Sequence, residues 1–252
     1  MKIMLSAVEG SACKDAVLQM IDDRIKFKYN LMSYYYIKSN NYDHAVVIRN
    51  NSEEVMIDSG AHSFQFGAKV DFETYTREYA DFIKKFDAPN VVGYFEMDVD
   101  NIIGYDRVLE LRKILEDVSD KIIPVWHPNR GIENFKEMCK KYTGKIVSVT
   151  GFSGKEIRDD QYIMFLKYAK KYNCKVHCLG MTRKKILDKV PFDYVDSSSW
   201  VQGVIYGRSL DGRKFPKSKD KKERKNQYMY SYLKGIEMQD RYYKKWRKIC
   251  KD

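Results

Sequence analysis

The sequence contains no CxxC or CxC pair, no apolar run near the about 20 residues a membrane-spanning helix needs, and no Gly-Ser or Pro-rich linker. Each absence narrows the reading. The five cysteines, Cys13, Cys139, Cys174, Cys178 and Cys250, are scattered and odd in number, which argues against a zinc knuckle of local thiolates and for reduced thiols. The opening MKIMLSAVEG lacks the apolar core of a secretory signal, so a cytoplasmic location without membrane attachment is expected. No short-period repeat is visible, which excludes a solenoid.

What is present fits one large domain. A (β/α)8 barrel needs roughly 250 residues, and this chain has 252. With 44% hydrophobic and 32% charged residues it can bury a substantial core and is not disordered by composition. The formal net charge of +11 favours a polyanionic partner, nucleic acid or an acidic membrane surface, without choosing between them.

Short β-rich runs alternate with amphipathic stretches. KIMLSAV, EVMIDSG, VVGYFEMDV, KIIPVWH, KIVSVTG, KVHCLGM and DYVDSSSW read as strands. Asp71 to Phe86 places Phe72, Tyr75, Tyr79, Phe82 and Phe86 at spacings of three and four, one apolar face of a helix. Tyr105 to Leu115, Gly131 to Tyr142 and Asp160 to Tyr172 read likewise. The alternation predicts a parallel sheet covered by helices, and a closed (β/α)8 TIM-type barrel is favoured over an open sheet because polar residues recur at many strand ends: Asp58, Asp98, His127, His177 and Asp196. The expected barrel spans 1–210, and 211–252 is a basic, Tyr-rich C-terminal segment whose helix packs on it.

Several of these strand ends can carry chemistry. Asp58 precedes Ser59 and Gly60, small residues that let the backbone turn tightly beside a ligand; it suits a general acid or base, or a turn cap. Glu96, Asp98 and Asp100 alternate and are expected on one strand face, where they suit a guanine-like donor edge, a divalent cation, or, for Glu96 above all, pairing with Lys or Arg. His127 and His177 suit substrate orientation, metal binding or a structural role. Asp193 and Asp196 flank apolar residues ahead of a Ser-rich stretch; either is a carboxylate able to attack an anomeric carbon or to cap the following helix.

Taken in order, these segments resemble the tRNA-guanine transglycosylase superfamily, and more closely its short, phage-type members associated with inserting 7-deazaguanines into DNA. The resemblance spans roughly Met1 to Gly207. Asp58-Ser59-Gly60-Ala61 resembles the family's Asp-Ser-Gly motif, whose Asp is an acid/base or substrate-contacting group. Met97-Asp98-Val99 resembles the strand whose Asp recognises guanine. Gly151-Phe152-Ser153-Gly154 stands where a glycine-containing loop contacts the base, and His177-Cys178-Leu179-Gly180 resembles the strand motif that follows. Val195-Asp196-Ser197-Ser198-Ser199-Trp200 is similar to the Phe-Asp-Ser segment of the nucleophile. A bacterial-type Phe-Asp-x-Val pattern selects Asp193 instead; the Ser-rich run and Trp200 favour Asp196.

The resemblance implies a cofactor-free pentosyltransferase, with Asp196 and Asp58 catalytic and Asp98, His127, Gly151, Phe152, His177, Gly180, Ser59 and Gly60 binding substrate. It implies nucleic acid and a 7-deazaguanine such as preQ0 as partners, and the cytoplasm of a phage-infected host as the setting. The Cys-x-Cys-x-x-Cys and His zinc site of the tRNA enzymes is missing after Trp200, which favours DNA over tRNA. A metal-dependent barrel hydrolase and a non-catalytic nucleic-acid-binding barrel are the rival readings, and the aromatic tail suits a homodimer or partner contact as well as base stacking.

Overall fold

The computed structural model describes residues 1–39, 41–64, 70–150, 157–216 and 218–250. The strands are β1 (Lys2–Ser6), β2 (Phe27–Ser33), β3 (Ser52–Asp58), β4 (Val91–Phe95), β5 (Ile122–Ile123), β6 (Val125–Trp126), β7 (Ile146–Thr150), β8 (Lys175–Leu179) and β9 (Tyr194–Ser197). The helices are α1 (Lys14–Asp22), α2 (Tyr34–Ile37), α3 (Tyr42–Asn50), α4 (Phe72–Phe86), α5 (Asp100–Ile103), α6 (Tyr105–Glu116), α7 (Gly131–Lys141), α8 (Tyr162–Lys171), α9 (Lys184–Leu187), α10 (Ser199–Ile205) and α11 (Lys221–Trp246).

All strand pairs are parallel, and the order β5-β4-β3-β2-β1-β9-β8-β7-β6 follows the chain around a ring. The two ends of that order are one stave. Only Pro124 separates β5 from β6; lacking an N–H it interrupts the ladder, so Ile122 and Ile123 pair with β4 while Val125 and Trp126 pair with β7. The Pro124 carbonyl still accepts from the Ser148 amide at 2.9 Å. The sheet is therefore an eight-staved (β/α)8 barrel, as the alternation of strands and helices predicted. The stave absent from the sequence reading is β2: its Lys28 and Asn30 mask the apolar pattern, and Asn30 is buried only because Ser52 and Tyr232 satisfy its amide.

Side chains alternate across each strand with period two, and the inward set stacks in layers. Met4, Tyr29, Leu31, Met56, Phe95, Ile123, Val125 and Tyr194 form the barrel's inner core. Above it, at the C-terminal ends, the inward positions turn polar: Ser6, Ser33, Asp58 and Asp196, with Ser33 in register with Asp58 and Met4 with Asp196. Below it Lys2 pairs with Glu54 at 2.7 Å.

Helix α4 buries the predicted face through Tyr75, Tyr79, Phe82 and Phe86, and its N-cap Asp71 accepts from the Glu73 and Thr74 amides. Its buried hydroxyls anchor the end of β3: Tyr79 donates to the Ile57 carbonyl at 3.2 Å and Tyr75 to that of Ser59 at 2.8 Å. Helix α11 packs on β1 beside α1 and α10. Where β1 and β2 splay, Gln239 caps the Ile3 and Tyr29 carbonyls at 2.8 and 2.7 Å, and Gly235 lets the helix approach Leu5. Among the described residues no helix is long and apolar enough to cross a membrane.

Candidate active site at the C-terminal mouth of the barrel

Asp196 leaves β9 pointing into the mouth. Its Oδ1 accepts from the Gly180 amide at 2.7 Å and its Oδ2 from the Ser6 hydroxyl at 3.3 Å. Gly180 turns at φ 62°, a left-handed conformation natural to glycine, and this brings its N–H to the carboxylate. Burial pushes the Asp196 carboxyl up to about 6; the Gly180 and Ser6 bonds pull it down and the nearby Asp58 charge raises it further. Its side chain remains 15% exposed, so one face is open to a ligand.

Asp193 does not share this position. It precedes β9 at the N-terminal end of the barrel, on the strand face opposite to Tyr194 and Asp196, and its Oδ2 accepts from the Val176 amide at 2.8 Å. Two such displacements, end and face, remove the alternative nucleophile Asp193 from the mouth.

Asp58 ends β3 across from Asp196. Its Oδ2 accepts from the Gly60 amide at 2.9 Å and from the Ser33 hydroxyl at 3.4 Å. Gly60 sits at φ 84°, and a Cβ there would lie 2.3 Å from the Tyr35 Cβ, so only glycine permits this turn. Ser59 is not a ligand-facing group: fully buried, it donates to the Glu96 carbonyl at 2.8 Å and fastens β3 to β4.

The alternation of Glu96, Asp98 and Asp100 does not place them on one strand face, because β4 stops at Phe95 and Asp100 opens α5. Each carboxylate has a different nearest partner, and Arg130 lies within 4.0 Å of all three. Glu96, fully buried, pairs with Arg112 on α6 and accepts from the Val125 amide at 2.6 Å beside the Pro124 break. Asp100 meets Arg130 at 3.0 Å; burial raises its carboxyl, but the guanidinium outweighs that and holds it below the usual range. Asp98 bonds the His127 Nε2 at 2.7 Å. Burial favours the neutral ring, yet the Asp98 bond prevails and raises His127 above its ordinary value. Asp98 and His127, about one fifth exposed, are the members of this group open to the mouth.

Ligand atoms of Asp98, Asp100 and His127 lie within 4.8 Å of one another, close enough to hold a cation. Arg130, 3.0 Å from Asp100 and 3.8 Å from Asp98, already supplies positive charge there, which disfavours a divalent ion.

His177 is fully buried beneath the mouth and does not face a ligand, contrary to the binding role expected from the sequence. Its Nε2 stands 3.6 Å under Asp196 and its Nδ1 meets the Ser148 hydroxyl at 3.4 Å, with Phe95 edge-on to the ring. Burial lowers it to about 3, so it is a neutral imidazole, and its Nε2 makes no hydrogen bond among the described residues. Gly151 and Phe152 lie outside the described residues.

One group at the mouth escaped the sequence reading. Glu9, in the loop after β1, is 1% exposed, accepts from the Ser33 amide at 3.0 Å and faces Asp58. Its signal was like that of Asp58: an acidic residue at a strand's C-terminal end with a glycine within two residues after it.

No protein-family model matches the sequence, and no curated protein does. Among solved structures the chain is similar to one described as a fructose-1,6-bisphosphate aldolase from Coccidioides immitis, with 12% identity over 95% of this chain and 89% of that one and a TM-score of 0.56. It is also similar to orotidine 5′-monophosphate decarboxylase from Methanocaldococcus jannaschii, with 16% identity over 91% and 97% and a TM-score of 0.48. At 12% identity the likeness to the first of these shows the fold alone, a (β/α)8 barrel, and carries no chemistry.

Proposed function

We propose that the protein is a base-exchange enzyme that replaces guanine in nucleic acid, preferentially DNA, with a 7-deazaguanine of the preQ0 type. The observation that carries the reading is the pair of carboxylates Asp196 and Asp58 facing one another at the barrel mouth, the first oriented by Gly180 and Ser6, the second by Gly60 and Ser33. These are the positions at which the sequence resembles the transglycosylase nucleophile and acid/base motifs.

In this scheme the target nucleotide is taken out of its stack into the mouth. Asp98, oriented by its hydrogen bond to His127, accepts hydrogen bonds from the guanine N1–H and amino group. The Asp196 carboxylate attacks C1′ as the C1′–N9 bond breaks, and guanine departs with a proton that Asp58 donates to its leaving nitrogen. The incoming base gives its N9 proton to Asp58; that nitrogen then attacks C1′ and releases Asp196, with retention at the anomeric carbon. With a carboxyl titrating at about 6, Asp196 is mostly ionised at neutral pH and yet more basic than an ordinary Asp.

The basic surplus of +11 and the segment rich in Lys and Arg between Arg213 and Lys225 suit a phosphate backbone. The same exchange on tRNA is the second reading. Incubation with preQ0 and either duplex DNA or tRNA, each carrying labelled guanine, separates the two. A barrel hydrolase using the Asp98, Asp100 and His127 cluster predicts instead activity that vanishes with a chelator and returns with a divalent metal.

A further inference from the structure

We propose that Glu9 is a positioning residue that, from beneath the mouth, raises the proton affinity of Asp58 when it ionises and thereby strengthens it as a base. The inference rests on the base-exchange reading for its consequence, though not for its geometry. Glu9 touches no open surface. Its Oε1 is held by the Ser33 amide at 3.0 Å, and the Ser33 hydroxyl in turn donates to Asp58 Oδ2 at 3.4 Å, so one residue of β2 fixes both carboxyls. Its Oε2 is buried with no hydrogen-bond partner among the described residues.

An unsatisfied, fully buried carboxylate oxygen is costly, and the neutral acid is the form this pocket favours. Burial together with the Asp58 charge pushes Glu9 up to about 7, despite the Ser33 amide. The loop that delivers it is held in place: Ala7 is at φ 66°, Trp200 donates to the Ser6 carbonyl at 2.8 Å, and the Gly10 amide closes on Ala7.

Among the described residues the groups around the pair are few. Glu9 faces Asp58 from β3 and the Cys13 thiol from the turn at Ser11–Cys13; burial and the Glu9 charge raise that thiol to about 12, so it stays protonated. Asp58 also faces Asp196 from β9 and the hydroxyls of Tyr75 and Tyr79 from α4, both neutral near pH 7. Glu9, at about 7, and Asp196, at about 6, are thus the groups of this set that change charge near neutrality, and the Glu9→Gln variant separates the two. As Glu9 ionises, its negative charge makes Asp58 hold a proton more firmly, which strengthens Asp58 as the base for the N9 proton. No proton passes between the two carboxyls.

The experiment is a carboxyl-carbon NMR titration of the full-length protein and of Glu9→Gln, labelled at Asp and Glu. In the wild type one glutamate resonance, absent from the variant, is expected to titrate near pH 7, and the Asp58 resonance, assigned through Asp58→Asn, is expected to show a second step at the same pH. In Glu9→Gln the step near pH 7 should vanish while the main Asp58 midpoint holds, because Glu9 is already neutral where Asp58 titrates; a step at the lower pH of Asp196 should persist. An Asp58 titration unchanged by Glu9→Gln overturns the proposal. Glu9→Asp, which shortens the side chain but keeps the acid, should restore a second step; if it does not, coupling through this pocket is also refuted. The readout does not depend on turnover. Failure to exchange guanine would sink the base-exchange reading while leaving this result intact. If exchange occurs, the pH profile of kcat/KM should lose an inflection near 7 in Glu9→Gln, a change that a merely structural role would not produce.

Discussion

Replacing Glu96 with Gln tests how the mouth is anchored to the barrel wall. Glu96 is fully buried at the end of β4, pairs with the nearly buried Arg112 and accepts the Val125 amide next to the Pro124 break. The amide keeps the shape but leaves a guanidinium that cannot lose its charge without a counter-ion in the interior. Arg112 Nη2 already lacks a hydrogen-bond partner, so no second acceptor stands ready. Breaking such a pair costs about 3–5 kcal/mol. At about 2–4 °C per kcal/mol for a chain of this size, the melting temperature should fall by roughly 6–20 °C in thermal unfolding followed by far-UV circular dichroism. Replacing both partners with Leu should recover part of that loss, because it removes the unpaired charge. A Glu96→Gln melting temperature within about 2 °C of wild type would refute the view that this pair pins β4 to the closing stave.

Other outcomes follow from the same geometry. Gly60→Ala forces a Cβ to 2.3 Å from Tyr35 at a φ of 84°; the backbone strain alone costs about 1–3 kcal/mol, and urea unfolding should show it along with weakened exchange through the displaced Asp58. Glu9, raised from 4.5 to about 7, contributes stability that is full below pH 4.5 and lost as pH rises through 7; Glu9→Gln should flatten that fall in unfolding measured across pH. His177 has the opposite sign: lowered from 6.5 to about 3, it contributes stability present above 6.5 and lost as pH falls toward 3, so His177→Phe should lessen acid sensitivity. Asp193→Asn, at the far end of the barrel, should leave exchange at the wild-type rate, and a loss of exchange there would overturn the placement of the nucleophile.

The barrel was legible because its strands are short apolar runs between helices of clear period and its strand ends repeat one polar signature. Less legible were features that depend on contacts distant in sequence. Strand β2 hides behind Lys28 and Asn30, and nothing local announces that Ser52 and Tyr232 satisfy Asn30. Alternation suggested one acidic face for Glu96, Asp98 and Asp100, whereas the chain leaves the sheet at Phe95, Arg112 takes Glu96, His127 takes Asp98, and Arg130 binds Asp100 while lying within 4.0 Å of the other two. The register of Asp193 and Asp196 was ambiguous by motif, yet the pairing of Met4 with Asp196 settles which of them ends a stave at the mouth. Ser59 and His177 carry the residue types of a binding site but are buried in its support. Glu9 was missed because its strand was read only as far as Val8.

The central claim is that Asp196 attacks a nucleotide sugar. The direct measurement is release of labelled guanine from DNA in the presence of preQ0, by wild type and by Asp196→Ala, with trapping of a covalent protein–DNA species in the wild type. Release and trapping that both disappear in Asp196→Ala are predicted. Release that persists in Asp196→Ala, or no release from DNA or tRNA by the wild type, would contradict the account.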